Sequence, residues 1–350
     1  MTTPLRCGIL GCGVIAPLHI ESFRRRPAVE VMWLCDVVES KARDLAEKYA
    51  IPHVTGEYQT VLDNPEVDCV SICTPHHTHV PISVAALRAG KHVLCEKPLA
   101  TRAADLDALV DAVHAHPDLV FSGVFQHRFD RVYQYARRLV QEGTFGTLLT
   151  AHLNMQCLRT AEYYQADAWR GTWAEEGGSL MINQSIHFVD VLNWIMGGVE
   201  ALCASYENRT HQNVIETEDT LAATLRFKNG ALGSITATSS SFLSWEPTFT
   251  FHGTKGTLEI CNGKVTRADF SDGATAQHIL QELTDADEAR PVGVGKVYYG
   301  PSHISQISDF VDAIREQRPP FIPVEAARVA VDLVLGMYRS AREKTWVGGF

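Results

Sequence analysis

A glycine-rich loop near the beginning of the chain is the feature that most constrains the fold. The apolar segment Leu5–Leu10 has the length of a buried strand and runs directly into Gly11-Cys12-Gly13-Val14-Ile15-Ala16. A helical pattern follows, then a second apolar segment at 31–35, and Asp36 stands directly after it. A strand, a G-x-G-x-x-A turn, a helix and an acid at the end of the next strand are together typical of a dinucleotide-binding βαβ unit.

Each residue of this pattern has a chemical reason. Gly11 and Gly13 let the backbone approach a pyrophosphate, while Val14 and Ile15 lead into a helix whose N-terminal N–H groups face that anion. Asp36 accepts hydrogen bonds from the adenosine ribose, and its carboxylate would repel a 2′-phosphate. No basic residue occupies the four positions after Asp36. We therefore expect NAD rather than NADP as the cofactor.

The length and net charge of the chain limit its number of domains, its binding partners and its cellular compartment. The 350 residues are too many for one ordinary core and predict two domains. A formal net charge of −10 argues against nucleic acid and against an anionic membrane as partners, because both require a basic protein surface. No apolar run has the length of a transmembrane helix, and the first strand begins within a few residues of Met1. We therefore expect no signal peptide and a cytoplasmic protein.

Cysteine and histidine spacing gives no sign of a metal site. The nine cysteines are scattered without a C-x-x-C pair, and several lie inside apolar runs. This usage is typical of small core residues in a reducing cytoplasm. His76, His77 and His79 stand close together, but no cysteine or carboxylate lies at ligand spacing from them. We expect neither a disulfide framework nor a bound metal.

The first third of the chain alternates strand and helix. Apolar runs at 5–10, 31–35, 67–73, 93–95 and 119–123 are separated by helical patterns near 16–25, 39–49, 80–89 and 102–115. Strands separated by helices in this way are typical of right-handed crossovers in a parallel, doubly wound sheet. We predict an α/β Rossmann NAD-binding domain over residues 1–124.

From residue 125 to residue 350 the pattern changes to that of an α+β domain for substrate binding and oligomerisation. Helices are predicted near 130–142 and 184–196, and strands at 148–155, 201–207, 219–228, 231–238, 247–252 and 256–261. Asn229-Gly230 between two of these strands indicates a hairpin, so the large sheet should be mostly antiparallel. We expect one open face of this sheet to form a homodimer or homotetramer. The segment 263–300 has no clear pattern, and closing helices near 303–317 and 324–343 could pack back on the first domain.

Lys97 is the first catalytic candidate. Cys95-Glu96-Lys97-Pro98 ends a buried strand at the sheet edge where doubly wound folds bind ligands, so Lys97 would face the nicotinamide. A lysine ordinarily titrates near about 10.4, so proton exchange near neutral pH requires burial or a neighbouring cation. The alternative is a surface lysine that is paired with Glu96.

His187 is the second catalytic candidate. Asn183 and His187 are four residues apart, which places them on one face of the helix predicted near 184–196. A histidine with an ordinary pKa near about 6.5 can accept a hydroxyl proton at neutral pH, whereas an amide can only position the hydroxyl. The alternative is a hydrogen-bonded core histidine, oriented by Asp190 three residues on.

Further polar residues extend the predicted site. Beyond the glycine loop and Asp36, the residues assigned to cofactor binding are Thr74, Pro75, His79, Glu96, Lys97 and Gln126. The residues assigned to substrate binding, whose polar and aromatic groups suit sugars, are Asn183, Arg128, Tyr164, Trp169 and Arg170. A packing or surface role is the open alternative for the last four. Tyr298 and Tyr299 could close the site from the segment without a clear pattern.

Taken together, these motifs resemble the Gfo/Idh/MocA oxidoreductases, essentially from end to end. The motifs that carry the resemblance are the glycine loop, Asp36, Thr74-Pro75…His79, Glu96-Lys97-Pro98, Gly177-Gly178…His187-x-x-Asp190 and Gly253-Thr254-Lys255-Gly256-Thr257. The resemblance implies a Rossmann domain plus an open-faced sheet through which subunits pair. It also implies oxidation or reduction of a secondary alcohol in a sugar, cyclitol or nucleotide sugar, with Lys97 and His187 as catalytic residues.

One position departs from the family pattern. Inositol dehydrogenases and many sugar dehydrogenases of the family carry an aspartate where this chain has Asn183. An Asp-His-Lys relay therefore does not follow for this chain. The Asn-x-x-x-His version resembles other branches, including oxidases of the 3-hydroxyl of uridine-nucleotide amino-sugar acids.

The expected reaction places the substrate hydroxyl between Lys97 and His187, with its C–H aimed at the nicotinamide. Two rival functions use the same residues or the same fold. One is a glycoside-cleaving enzyme that retains its NAD and oxidises a sugar hydroxyl only transiently. The other is a non-catalytic sugar-sensing regulator, against which the retention of Lys97 and His187 argues.

Overall fold

The glycine loop lies in the first of two structural units. A computed structural model describes residues 4–288 and 302–350, so Tyr298 and Tyr299 lie outside the described residues. Contacts divide the described chain into a first unit, 4–126 with 302–328, and a second unit, 127–288 with 329–350. No helix within these ranges is both long and apolar enough to cross a membrane.

The N-terminal part of the first unit alternates strand and helix as predicted. Its strands are Leu5–Leu10 (β1), Val29–Cys35 (β2), His53–Thr55 (β3), Cys69–Ile72 (β4), His92–Cys95 (β5) and Phe121–Gly123 (β6). Its helices are Ala16–Arg24 (α1), Glu39–Tyr49 (α2), Tyr58–Leu62 (α3), His79–Arg88 (α4) and Ala103–His114 (α5), with a 3-10 turn at His76–Thr78.

The six strands form one parallel sheet in the order β3-β2-β1-β4-β5-β6. The strand order reverses between β1 and β4, and ligands of open α/β sheets bind in the crevice outside the carboxyl ends of the strands at such a switch point. The loops that follow β1, β4 and β5 carry the glycine motif, Thr74-Pro75 and Glu96-Lys97-Pro98. The three motifs therefore share the ligand-binding edge of the sheet.

A 3-10 turn at Gln126–Phe129 spans the boundary, and the second unit is built around a large sheet. Its helices are Arg131–Gln141 (α6), Ala161–Gln165 (α7), a π-helical segment Leu180–Ser185, Ile186–Met196 (α8) and Gly273–Glu288 (α9). Its strands are Leu148–Leu158 (β7), Val199–Glu207 (β8), Thr220–Phe227 (β9), Leu232–Thr238 (β10), Ser240–Gly253 (β11), Gly256–Cys261 (β12), Lys264–Phe270 (β13) and Val347–Gly348 (β14).

The eight-stranded sheet has the order β13-β12-β11-β7-β10-β9-β8-β14. All its pairs are antiparallel except β7 with β10, which run parallel. Along β9 and β10 every second residue is buried and those between are more exposed, so one face of the sheet packs on the core and the other faces outward.

Two helices close the chain, Ser302–Glu316 (α10) and Val324–Glu343 (α11). The first belongs to the first unit, where Phe310 of α10 packs edge-to-face on Phe23 of α1 with ring centroids 6.4 Å apart. An aromatic pair in this geometry contributes about 0.5–1.5 kcal/mol beyond its burial. Helix α1, which follows the glycine loop, is thus fixed from its outer side.

The structure differs from the sequence prediction where elements are short or polar. Neither β3 nor α3 was predicted, because the three residues of β3 are half-exposed or exposed and form no apolar run. The unpredicted β13 and the whole of α9 fall in the segment that had no clear pattern. The helix predicted from residue 184 begins at Ile186, and the residues before it are π-helical. Asn183 therefore lies in the π-helical segment and His187 in α8, so the two residues do not belong to one α-helix.

Candidate active site

The glycine loop has the geometry that the sequence predicted. Gly11 has a φ of +95°, and a Cβ there would lie 2.5 Å from the Cys73 carbonyl oxygen, so no larger residue fits. A Cβ at Gly13 would meet nothing within 4 Å. Gly11 therefore lets the loop pass beside the end of β4, and Gly13 leaves open space at the start of α1, where a pyrophosphate would approach.

Asp36 links the end of β2 to this loop. Its two carboxylate oxygens accept hydrogen bonds from the backbone N–H groups of Cys12 and Val38, each at 2.8 Å. The side chain is only half-buried, so the outer part of the carboxylate remains accessible to a ribose. Val14 in the glycine loop and Val37 directly after Asp36 are 65% and 90% exposed.

His79 contacts both the Thr74-Pro75 motif and the Glu96-Lys97-Pro98 motif. Its ring nitrogens lie 2.7 Å from the Pro98 carbonyl oxygen and 2.8 Å from that of Thr74. Burial lowers the pKa of His79, although both carbonyl contacts favour the protonated ring. The side chain is fully buried, and its predicted contact with the cofactor stays a prediction. His79 holds Thr74 and the turn after Lys97 in place.

Glu96 is buried and paired with a residue that the sequence prediction missed. Its Oε1 lies 2.9 Å from Nε2 of His19 on α1, and the other ring nitrogen of His19 lies 2.8 Å from the Ser71 hydroxyl. His303 Nε2 lies 3.9 Å from the same carboxylate oxygen. Burial alone would raise the pKa of Glu96, but the hydrogen bond and charge of His19, with help from His303 and Lys97, lower it to about 2.

Lys97 follows Glu96 at the carboxyl end of β5. Its backbone N–H donates to Glu96 Oε2 at 3.2 Å, and its side chain is half-buried. The following peptide bond, Lys97-Pro98, is cis. Lys97 is thus fixed at its backbone by a buried acid while its side chain retains exposed surface at the ligand-binding edge.

Gln126 carries a polar atom that suits a ligand. The residue is 2% exposed, and its Oε1 is buried without a hydrogen-bond partner among the residues that the structure describes. A buried acceptor in this state is costly unless something donates to it. A carboxamide N–H, such as that of nicotinamide, would satisfy it. The first unit therefore has groups that match three parts of NAD: Gly11 and Gly13 for the pyrophosphate, Asp36 for the ribose and Gln126 Oε1 for the carboxamide.

In the second unit, two side chains stand out from a buried run. Every residue from 176 to 190 is buried except Asn183 and His187, which are half-buried. The π-helical segment and the first turn of α8 therefore leave only these two residues accessible to a ligand. Single π-helical turns occur frequently at functional sites.

Asn183 is held by an acid that the sequence prediction also missed. Its Nδ2 donates to Glu176 Oε1 at 2.5 Å, and the backbone N–H of Gly171 donates to the other carboxylate oxygen. Glu176 is fully buried. Burial raises the pKa of Glu176 to about 7, against these two hydrogen bonds and the charge of Arg170.

Close packing against Tyr338 explains why residue 178, just before the π-helical segment, is a glycine. Its φ is +140°, and a Cβ there would lie 2.2 Å from the Tyr338 hydroxyl oxygen. That hydroxyl donates to Glu218 Oε1 at 2.7 Å, and the same oxygen accepts the Met181 N–H at 2.9 Å. The Gly177-Gly178 motif thus admits a buried Tyr338–Glu218 pair that supports the start of the π-helical segment.

Asp190 is engaged by Arg128. The Arg128 guanidinium donates from Nε at 2.8 Å and from Nη2 at 2.5 Å, one bond to each oxygen of Asp190, and both side chains are buried. Burial raises the pKa of Asp190, and the neighbouring Arg128 opposes it. These contacts assign Asp190 to Arg128 rather than to the orientation of His187. The substrate-binding role of Arg128 stays a prediction.

The other predicted substrate residues lie near this segment. Arg170 donates to Asp167 at 2.9 Å and to the Tyr163 hydroxyl at 2.8 Å, and its guanidinium lies over the Trp169 ring. Tyr164 is 4% exposed, and its hydroxyl lies 3.2 Å from that of Ser239. Packing accounts for the contacts of Tyr164. Its role toward a substrate, and those of Trp169 and Arg170, stay predictions.

Of His19 and Glu176, the two residues described above that the sequence prediction missed, only His19 has a signal in the sequence. His19 stands on the buried face of α1 with Ala16, Ile20 and Phe23, so a polar residue at an apolar position of the fingerprint helix could have indicated it. Glu176 precedes the glycine pair in a segment without helical or strand periodicity, so nothing local indicated its burial.

A parallel sheet with a complete nucleotide fingerprint, joined to a large mostly antiparallel sheet, defines the class of two-domain nicotinamide-dependent oxidoreductases. The family model described as "Oxidoreductase family, NAD-binding Rossmann fold" matches residues 5–124, and the one described as "GFO/IDH/MocA C-terminal domain" matches residues 133–259. The chain belongs to the Gfo/Idh/MocA family. The predictions of this family, of the fold class, and of an oxidoreductase that uses NAD are confirmed.

Similar proteins cover nearly the whole chain. A myo-inositol 2-dehydrogenase of Thermotoga maritima is 26% identical over 97% of each chain. A levoglucosan dehydrogenase of Pseudarthrobacter phenanthrenivorans is 24% identical over 85% of this chain and 81% of its own. The crystal structure of the WlbA dehydrogenase from Chromobacterium violaceum with NADH and UDP-GlcNAcA is 27% identical, covers 100% of this chain and 97% of its own, and has a TM-score of 0.88.

Proposed function

We propose that this chain transfers hydride between a secondary alcohol of a sugar, cyclitol or nucleotide sugar and the nicotinamide of NAD. The observation that carries the proposal is the placement of Lys97. Its half-buried side chain follows β5 at the ligand-binding edge of a sheet that also carries the glycine loop and Asp36. A cation in this place is suited to stabilise the negative charge that develops on the oxygen when an alcohol is oxidised.

We assign separate roles to the three polar residues. Bound NAD⁺ supplies the hydride acceptor at its nicotinamide ring. His187 accepts the hydroxyl proton, and the ammonium of Lys97 stabilises the alkoxide that develops as the C–H bond breaks. Asn183 positions a neighbouring ring hydroxyl through its amide. The products are a ketone, NADH and a proton, and general base assistance of this kind typically contributes about 10²–10⁴-fold to the rate.

The substrate class is supported by the relatives rather than by a bound molecule. Their names specify myo-inositol and levoglucosan, and the WlbA structure contains UDP-GlcNAcA. All three are ring compounds that carry several secondary hydroxyls. A half-buried amide and a half-buried histidine are suited to such a ring, because each can hydrogen-bond a hydroxyl.

The test is NADH formation by the purified protein with NAD⁺ across cyclitols, free sugars, glycosides and nucleotide sugars. We expect a substrate-dependent rise in NADH absorbance with one class and its loss in the Lys97→Ala variant. If no compound gives NADH while glycosides are cleaved, or while the purified protein carries nucleotide, the enzyme recycles its NAD internally. If neither occurs, and Lys97→Ala retains the biological activity, the chain is a sugar-sensing regulator.

We also propose a homodimer or homotetramer, formed through the outward face of the large sheet, in a reducing cytoplasm. Several large apolar side chains on strands of that sheet are exposed: Leu149, Leu158, Leu232, Phe242 and Leu243. Seven of the nine cysteines are buried as free thiols. Sedimentation equilibrium should give two or four subunits, and Leu232→Glu should shift the mass toward one.

A further inference from the structure

Glu176 is a fully buried acid that contacts the predicted substrate residue Asn183 directly. Its carboxylate accepts hydrogen bonds from donors of two kinds, the Asn183 side-chain amide on Oε1 and the Gly171 backbone N–H on Oε2. The backbone donor cannot turn around. The side-chain amide can, because a carboxamide offers a donor on one side and an acceptor on the other.

An ionised carboxylate only accepts hydrogen bonds, so it determines which way the amide of Asn183 faces. With Nδ2 directed at Glu176 Oε1, the carboxamide oxygen points away from Glu176. Asn183 and His187 are the only residues from 176 to 190 that keep exposed surface. The oxygen of Asn183 therefore lies on the side of the amide away from Glu176, where a substrate hydroxyl can donate to it.

We propose that Glu176 is a positioning residue, which holds the Asn183 carboxamide with its oxygen toward the substrate as a hydrogen-bond acceptor. This inference rests on the proposed function, and it adds the residue that determines which hydrogen bond Asn183 makes with a substrate hydroxyl beside the reacting one. Glu176 does not itself touch the substrate, because its side chain is fully buried.

The surroundings of Glu176 make this orientation depend on pH. Burial raises the pKa of Glu176 to about 7, while the Gly171 N–H, Asn183 and the charge of Arg170 lower it. The other titratable groups that interact with this carboxyl are Glu218, Tyr163, Tyr164 and Tyr338. A protonated Glu176 would also donate, so the acceptor orientation of Asn183 is enforced most strongly well above pH 7.

The test uses one variant that reverses the orientation of the Asn183 amide and a second that restores an acceptor oxygen at position 183. In Glu176→Gln the new amide oxygen can still accept from Gly171, so its NH₂ faces Asn183 Nδ2, and Asn183 must turn its own NH₂ outward. In the double variant Glu176→Gln with Asn183→Asp, the same NH₂ donates to the carboxylate introduced at position 183, whose second oxygen faces outward. Glu175→Gln is the matched control, because that neighbouring side chain is exposed.

We expect kcat/KM, measured well above pH 7, to fall about 10–100-fold in Glu176→Gln, since a donor then replaces the acceptor that the hydroxyl needs. The thermal midpoint should not fall, because a hydrogen bond is kept and a buried charge is removed. The double variant should recover kcat/KM to within a few-fold, and Glu175→Gln should match the wild type.

Two results would overturn the inference: full kcat/KM in Glu176→Gln, or a double variant as impaired as the single one. If Glu176→Gln does not fold, the double variant alone decides, with wild-type-like kcat/KM supporting the inference and an inactive folded protein overturning it. A wild type that reduces no NAD⁺ with any substrate would overturn the proposed function and the inference with it.

Discussion

His19 Nε2 lies 2.9 Å from Glu96 Oε1 inside the first unit. Glu96 directly precedes Lys97, the proposed catalytic lysine. The side chains of His19 and Glu96 are both buried, and Glu96 also accepts the backbone N–H of Lys97. The helix that begins at the glycine loop is therefore joined through one hydrogen bond to the turn that carries Lys97. The nucleotide fingerprint and the catalytic candidate share this support.

Removal of His19 should destabilise the protein strongly. His19→Phe leaves the Glu96 carboxylate buried without its partner, a change that typically costs about 3–5 kcal/mol. Urea unfolding measures the loss, and His19→Gln, which retains a donor, should lose less. His53→Phe is the control, since His53 is exposed on β3. Equal stability of His19→Phe and the wild type would contradict the importance of the pair.

Glu96 should contribute stability that is lost in acid. Its pKa is lowered from 4.5 to about 2, against the effect of burial, chiefly by His19. A lowered folded-state pKa means that the unfolded chain binds the proton first, so this contribution is complete above about pH 4.5 and falls as pH drops toward 2. The acid unfolding curve of Glu96→Gln should accordingly be flatter than that of the wild type over this range.

Glu176 should affect the pH dependence of stability in the direction opposite to Glu96. Burial raises its pKa from 4.5 to about 7, so the folded state binds the proton more tightly and loses stability as pH rises through that window. The difference amounts to about 3 kcal/mol above pH 7. Relative to the wild type, Glu176→Gln should therefore gain unfolding free energy between pH 5 and pH 8. Parallel stability curves for the two proteins over this range would contradict the raised pKa.

Asp36 should set the preference for NAD over NADP. A hydrogen bond to a charged group contributes about 1.5–3 kcal/mol, so Asp36→Ala should weaken NAD⁺ binding by about 10–150-fold while NADP⁺ gains from the lost repulsion. Isothermal titration with both nucleotides measures the ratio. Asp44→Ala, an exposed change on α2, should leave it unaltered. An unchanged ratio in Asp36→Ala would show that another residue selects the cofactor.

Gly178 should tolerate no side chain. With a φ of +140° and a Cβ 2.2 Å from the Tyr338 hydroxyl oxygen, Gly178→Ala is strained and crowded at once. We expect a loss of several kcal/mol in urea unfolding, on the order of an overpacked core site plus backbone strain. Tyr338→Phe in the same chain removes the nearest atom and should recover part of that loss. No difference between Gly178→Ala and the wild type would contradict the packing.

The nucleotide-binding half was predictable from sequence because its signals are local. The glycine turn at 11–16, the apolar strands and Asp36 each have a backbone or charge requirement that adjacent residues display, and the structure shows β1, α1 and β2 in those places. The hairpin at Asn229-Gly230 was predictable for the same reason, and it joins β9 to β10. The short polar strand β3 has no such local signal.

The candidate site was less predictable because its geometry depends on distant residues. Helical periodicity placed Asn183 and His187 on one α-helical face, whereas Glu218, 37 positions beyond Met181, accepts the Met181 N–H in a π-helical segment that alters the spacing. The burial of Glu176 depends on loop packing that no periodicity records. Arg128 pairs with Asp190 across 62 positions, so no local pattern could assign it.

Hydride transfer itself is tested most directly with a substrate deuterated at the carbinol carbon. We predict that the wild type transfers the deuterium to the nicotinamide of NAD⁺, with mass spectrometry showing NADH heavier by one mass unit and with a slower rate than for the unlabelled alcohol. Lys97→Ala should form no labelled NADH although it still binds NAD⁺, and the exposed-site variant Lys264→Ala should behave as the wild type. Substrate turnover that leaves no deuterium in the nucleotide, or unchanged labelling in Lys97→Ala, would contradict the proposed mechanism.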